Sequence, residues 1–108
     1  MIKYRIVLTV AAKSDLREIF RYVEQNDSSE SADKLVDGIE KSIRSLTVMP
    51  GRGHYPPELD KICIREFQEI HFKPYRIVYS IHINDVVVHC VLDGRRDMQT
   101  LLQQRLLR

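Results

Sequence analysis

The sequence predicts an α+β fold: an N-terminal strand, an αα-hairpin packed on one face of a mostly antiparallel sheet, and a short C-terminal helix. Three observations predict it. After one short alternating run, apolar residues recur at helical spacing as far as Leu46. Past Pro50 the pattern changes to runs that alternate every second residue and are rich in Ile, Val and Tyr. The order of elements (strand, two helices, three meandering strands, helix) lacks the strand–helix alternation of a parallel sheet. A chain of 108 residues fits a single domain, residues 1–108, because compact domains run from about 50 to 250 residues.

Residues 2–8, Ile-Lys-Tyr-Arg-Ile-Val-Leu, alternate well enough for the first strand. Thr9 can cap a helix whose buried stripe is Ala12, Leu16, Ile19, Phe20 and Val23, with Lys13, Arg17, Arg21 and Glu24 opposite. Asn26-Asp27-Ser28 stops that helix and offers the next N-cap at Ser28 or Ser29. The second helix buries Ala32, Leu35, Val36, Ile39, Ile43 and Leu46. Its outer face sets Glu30 before Lys34, Asp37 before Lys41 and Glu40 before Arg44, each acid one turn N-terminal to its base, the favourable order. Pro50 and Gly51 end it, and the short polar turn between the helices makes them an antiparallel hairpin.

Gly51-Arg52-Gly53-His54-Tyr55-Pro56-Pro57 reads as a loop. The first strand-like run after it goes from Ile62 to about Ile70. The second sets Tyr75, Ile77, Tyr79, Ile81 and Ile83 against Arg76, Val78, Ser80 and His82. The third sets Val86, Val88, Cys90 and Leu92 against Val87, His89 and Val91, with Asn84-Asp85 as the tight hairpin turn between the two. Gly94 closes the last strand, and Met98, Leu101, Leu102 and Leu106 predict a short helix.

Composition narrows the function. Hydrophobic residues at 44% and charged residues at 30% are a globular balance. No apolar run approaches the roughly 20 residues that span a bilayer, and the N-terminus lacks the basic–apolar–small order of a signal peptide, so a cytoplasmic protein with no membrane partner is expected. Cys63 and Cys90 are too few for a disulfide framework, and their alternating apolar surroundings predict two buried thiols. The histidines at 54, 71, 82 and 89 never form a close helical pair, so no metal and no cofactor is expected. Net charge is only +2, but it is uneven. Residues 1–50 carry eight basic and eight acidic side chains, whereas residues 94–108 carry Arg95, Arg96, Arg105 and Arg108 against Asp97 alone. A basic tail suits an acidic partner or nucleic acid, and arginine is the side chain shaped for bidentate grip on phosphate or carboxylate.

No Ser-His-Asp or Cys-His arrangement and no glycine-rich phosphate loop can be read here. What remains is a set of arginines on or beside strands: Arg65, Arg76, Arg95 and Arg96. They serve either as charged guards of an exposed sheet edge or as an anion-facing patch.

These residues sit within a wider pattern: Tyr4-Arg5-Ile6-Val7-Leu8-Thr9, then Ala12 and Asp15-Leu16, Ser31-Ala32, Leu46, Pro50-Gly51-Arg52, Pro57-Glu58-Leu59, Arg65-Glu66, Tyr75-Arg76-Ile77-Val78-Tyr79 and Gly94-Arg95-Arg96-Asp97. In that order, over nearly the whole chain, the set resembles toxins of the RelE/ParE superfamily, the stable partners in type II toxin–antitoxin pairs, some of them plasmid stabilisation proteins. The resemblance implies a helical hairpin on a small antiparallel sheet, as the periodicity does. It also implies one of two activities.

RelE-like members cut messenger RNA on the ribosome. That reading would give catalytic roles to Arg76 and Arg96, with Arg65 near the family's paired lysines, and would make the chain a metal-free endoribonuclease. Its proton-transfer group is missing: no tyrosine follows Tyr79 and no histidine follows His89. Arginine titrates too high to shuttle protons, so His71, His82 or His89 would have to substitute. ParE-like members bind and poison DNA gyrase. Arg65-Glu66 and the Gly94-Arg95-Arg96 ending resemble that branch more closely, which makes Arg65, Arg76, Arg95 and Arg96 the expected partner-binding residues. Either activity implies a cognate antitoxin whose extended, partly helical segment covers Arg76 or Arg96, in a heterotetramer of two toxin–antitoxin pairs. A degenerate toxin is a third reading, and it would not arrest growth when expressed alone.

Overall fold

A computed structural model of the chain describes residues 3–107. Ile2 of the first predicted strand and Arg108 of the basic tail lie outside the described residues. Strand β1 (Arg5–Leu8) leads into helices α1 (Val10–Asn26) and α2 (Ser29–Arg44). A short helix α3 (Pro57–Asp60), strands β2 (Gln68–Phe72), β3 (Tyr75–His82) and β4 (Asp85–Asp93), and helix α4 (Met98–Leu106) follow. The four strands form one sheet in the order β1-β4-β3-β2. Only the β1–β4 pairing is parallel, so the sheet is mostly antiparallel as predicted.

The helix starts follow the predicted caps. The Thr9 hydroxyl accepts from the Ala12 amide at 3.0 Å and the Ser28 hydroxyl from the Ser31 amide at 3.0 Å, satisfying amides that have no partner within the helix. Helix α2 ends earlier than Pro50. Its last turns tighten into 3₁₀ turns at Ser45–Thr47 and Pro50–Arg52, and Arg52 donates to the Ser45 hydroxyl to hold them together. The three acid–base pairs predicted on the outer face of α2 do not close among the described residues. Ion pairs form elsewhere, and those between distant segments, such as Arg76–Glu58 and Arg105–Asp15, are held by partial burial of both partners.

Four other expectations are corrected. The run from Ile62 to Ile70 is not one strand. Pro57 preorganises the single-turn α3, the chain turns through Cys63 at φ 63°, and pairing begins only at Gln68. Ile64 packs instead against the cluster that holds Leu59, while Ile62 stays exposed. Arg65 therefore sits in this turn region and not on a strand. Cys63 is exposed there, while Cys90 is buried as predicted, its thiol pushed up to about 12 by burial and so inert.

The β3–β4 turn is Ile83-Asn84, because Asp85 is drawn into β4 opposite His82 and takes two hydrogen bonds from Arg5 of β1. Strict alternation in β4 also fails. Val78 pairs with Cys90 but Tyr79 with Val88, which leaves His89 as the extra residue of a bulge. Val86 and Val88 therefore share a face with Val91, and Cys90 with Leu92.

Both faces of the sheet are covered. Ile39, Ile43 and Leu46 of the α2 segment and Leu16 and Ile19 of α1 pack on Ile70, Ile77, Tyr79, Val86 and Val88. On the opposite face, Leu59 of α3 and Met98 and Leu102 of α4 pack with Phe67 on Val78, Cys90 and Leu92. Each fully buried aliphatic side chain contributes about 1.5–3 kcal/mol. Helix α4 is tied down by Arg105, whose guanidinium grips Asp15 of α1 through two bonds of 3.0 and 2.9 Å. Asp15 also accepts the Val91 amide at 2.9 Å, so this buried carboxylate joins α1, β4 and α4.

Candidate functional site

Arg76 lies on a central strand and turns away from the helical hairpin, as period-two alternation requires once Tyr75 and Ile77 face the hairpin. An edge-guarding role is therefore not its explanation. Its guanidinium meets two carboxylates: both terminal nitrogens donate to Glu58 of α3 at 2.9 and 2.6 Å, and Nε donates to Glu69 of β2 at 2.7 Å. These bonds, the Glu58 pair first, raise the guanidinium pKa further despite burial, and the same contact holds the Glu58 carboxyl below the usual carboxylate range. Gly94 makes room for this side chain, because a Cβ there would collide with Arg76 Cδ.

Two histidines complete the cluster. His71 stands opposite Arg76 in the β2–β3 register, and its Nε2 lies 3.3 Å from Glu69 Oε2. His54 Nε2 lies 3.1 Å from the same oxygen. His54 is held by a pair of backbone hydrogen bonds with Glu69, of 3.1 and 2.7 Å. Gly53 permits that approach, since a Cβ there would collide with Tyr79 Oη and the Glu69 carbonyl.

Arg95 and Arg96 are elsewhere. They rim a cleft of about 430 Å³ whose walls include Tyr22 of α1, Tyr75 of β3 and Asp93. Arg95 is fully exposed and pairs with Asp93, holding that carboxyl below its ordinary value. Arg96 closes no ion pair among the described residues, but its charge acts on Asp93 through space. Burial and the nearby Asp93 push the Tyr75 phenol up, so it keeps at neutral pH a proton that it can offer to a ligand in the cleft. Among the described residues no histidine lines this cleft.

The remaining histidines meet at Ser80. Its buried hydroxyl lies 2.7 Å from Nε2 of His82 and 2.7 Å from Nε2 of His89. A hydroxyl has one proton to donate, so one ring accepts it and the other donates back. Burial, then the neighbouring His82, lowers the His89 pKa, and the ring packs edge-on against Phe67.

The structure thus distributes the sequence-predicted residues over four places. Arg76 is with His71, Arg95 with Arg96, and His82 with His89; Arg65 is alone with Asp60 at 2.8 Å on the exposed turn after α3. Sequence reasoning missed the acids that organise these groups, namely Glu58, Glu69 and Asp15, and it missed Tyr22 and Tyr75 as walls of the cleft. One signal was available. Glu69 interrupts an otherwise strand-like stretch two residues before His71, and a lone acid there needs a cation across the strand pair.

Known proteins place this architecture. A family model described as the ParE toxin of the type II toxin–antitoxin system, parDE, matches residues 6–98. Toxin ParE3 of Caulobacter vibrioides is 28% identical over 101 residues, 94% of this chain and 97% of that protein. The chromosomal ParDE system of P. aeruginosa superposes with a TM-score of 0.70 at 15% identity, covering 82% of this chain and 94% of that one. The RelBE2 toxin–antitoxin complex of Mycobacterium tuberculosis gives 0.61 at 18% identity, with 86% and 93% covered. The YoeB dimer of Staphylococcus aureus gives 0.53 at 18% identity, with 82% and 93% covered. At such identities the solved structures establish the fold, and the family model, spanning most of the chain, establishes that this protein belongs to the ParE toxins of type II toxin–antitoxin systems.

Proposed function

We propose that this ParE-family toxin arrests growth in the cytoplasm by binding DNA gyrase, and that a cognate antitoxin neutralises it. One observation carries the reading: Arg95 and Arg96 stand in a cleft that no described histidine lines. Arg95 and Arg96 rim a cleft without an imidazole, whereas Arg76, the strand arginine a ribonuclease would use, commits its guanidinium to Glu58 and Glu69. Cleavage of RNA needs a group that takes a proton and another that returns it, beside the cation that steadies the phosphate. Here the cleft sets two guanidinium groups and a protonated phenol beside the carboxylates of Asp15, Glu18 and Asp93, of which Asp15 and Asp93 are already held by Arg105 and Arg95. With Arg96 outside those ion pairs, the rim suits an acidic target.

The antitoxin contact is assigned to the same rim. A segment that orders on binding would lay carboxylates against Arg96 and Arg95 and occlude the cleft. Arg76 is already partnered and nearly covered, so it contributes by shaping the sheet and not by direct contact. Arg65, exposed on the turn after α3, is a peripheral contact in this reading.

The test incubates the purified toxin with gyrase and supercoiled plasmid, and separately with programmed ribosomes. Gyrase inhibition that falls in Arg96→Ala, with ribosomes untouched, is the expected result. Site-specific messenger cleavage with gyrase unaffected overturns the reading in favour of the ribonuclease, and the absence of growth arrest on expression alone points to a degenerate toxin.

A further inference from the structure

The geometry points to a metal site that the sequence spacing conceals: His54, Glu69 and His71 form a two-histidine, one-carboxylate site for a divalent transition-metal ion of the zinc type. Their ligand atoms all lie within 4.8 Å of one another. The distances are those of a coordination shell. A tetrahedral ion with bonds of about 2.0–2.1 Å to nitrogen and oxygen has ligand–ligand edges of about 3.3–3.4 Å. The two measured edges, from His54 and His71 Nε2 to Glu69 Oε2, are 3.1 and 3.3 Å. An ion entering here replaces the protons in these two contacts and draws the two ring nitrogens, which lie within 4.8 Å of each other, to the third edge.

The backbone holds the donors in place before any ion arrives. Glu69 and His71 are two residues apart on β2 and therefore project from one face of it. His54 is fixed opposite Glu69 by the paired backbone hydrogen bonds of an isolated bridge. The carboxylate is oriented from behind, because Arg76 Nε holds Oε1 at 2.7 Å and leaves Oε2 to face the histidines. This supporting contact fixes the ligand's angle, the usual task of groups just outside a metal's coordination shell.

Charge also favours a cation. Glu58 and Glu69 carry two negative charges against the single positive charge of Arg76, so the group is net −1 before the histidines are counted. Both rings are exposed while Glu69 is buried, which gives an ion access from solvent and shields its anionic ligand from competing water. Two imidazoles with one oxygen favour Zn²⁺, Co²⁺, Ni²⁺ or Cu²⁺ over Mg²⁺ or Ca²⁺, which take oxygen ligands. A bound ion would clip the loop at Gly53-His54 to the outer edge of the sheet, independently of what the toxin binds.

The experiment titrates Co²⁺, followed by visible absorbance, and Zn²⁺, followed by calorimetry, into chelator-treated protein without a histidine tag. One ion per chain is expected. Affinity should fall by at least the roughly 10–100-fold that even outer-shell partners command in His54→Gln and in His71→Gln. Both positions are exposed, so these variants should keep the parent circular dichroism. The His82→Gln, His89→Gln double variant should bind as the parent does. No binding at millimolar metal overturns the proposal. So does binding that survives both single substitutions, or binding lost in a His82, His89 double variant that keeps the parent circular dichroism.

Discussion

The two faces of the sheet are cut from the same four strands, yet they are held by different physics. The face under α1 and α2 is almost wholly apolar, a layer of Ile, Val and Leu with Tyr79 as its largest fully buried side chain. The face under α3 and α4 has an apolar centre of Val78, Cys90, Leu92 and Leu102, flanked by Arg76 with its two glutamates and by Ser80 with its two histidines. Among the described residues, no buried side-chain nitrogen or oxygen lacks a partner. The first face loses stability in proportion to the volume removed. On the second, each group depends on a specific partner, so single deletions have disproportionate effects. In this chain the imidazoles and the strand arginine all lie on the second face.

Arg76→Ala is the sharpest way to break this contrast. It leaves the buried Glu69 and the half-buried Glu58 facing each other without their cation, and denaturant unfolding should show a loss of about 3–5 kcal/mol. Arg95→Ala, at an exposed pair with Asp93, should leave the unfolding midpoint where it was. Equal effects would show that the polar face is no more partner-dependent than the surface.

Tyr79→Phe probes a polar link within the hairpin face. The phenol donates to the Pro50 carbonyl at 2.6 Å, and its loss should cost about 1–2 kcal/mol in the same assay, as one neutral hydrogen bond does. A cost matching that of Arg76→Ala would erase the distinction between the faces.

Acid should act on the second face first. The half-buried His89 has a lowered pKa, caused by burial and then by His82. Below the ordinary histidine value of about 6.5 the unfolded chain therefore binds a proton that the folded chain resists. Stability falls as pH drops from about 6.5 toward the depressed folded value, and it recovers as pH rises back through that window. Its neighbours are Ser80 and His82 on β3, Phe67, and Arg105 of α4, which donates to the His89 carbonyl. Thermal melts should show a decline in this window that is smaller in His89→Gln. Further down, the depressed Glu58 carboxyl adds a second loss as pH falls below the ordinary carboxylate range, because protonation releases Arg76.

The smallest expected effect lies where both faces end. Ile83, 92% exposed, holds φ 57° at the β3–β4 turn, a left-handed conformation that a β-branched residue adopts only under strain. Ile83→Asn should raise stability by up to about 1 kcal/mol, with no change at the Arg76 cluster or the Arg95–Arg96 cleft. A loss would mean that this turn is held by contacts of the isoleucine itself.

What the sequence determined by itself was the order of the four strands and three long helices, the helix caps at Thr9 and Ser28, and the apolar stripes, because periodicity and capping are local and recur every turn or every second residue. It also carried the family resemblance, through short segments spread along the chain. Tertiary structure alone decided what the charged groups do. Register sets His71 beside Arg76, a bulge at His89 changes which residues face α4, and folding brings Glu58 and Asp15 to arginines 18 and 90 positions away. No local pattern encodes such meetings. They arise because a partly buried charge is stable only where the fold can supply its opposite, and that partner is chosen by packing in three dimensions.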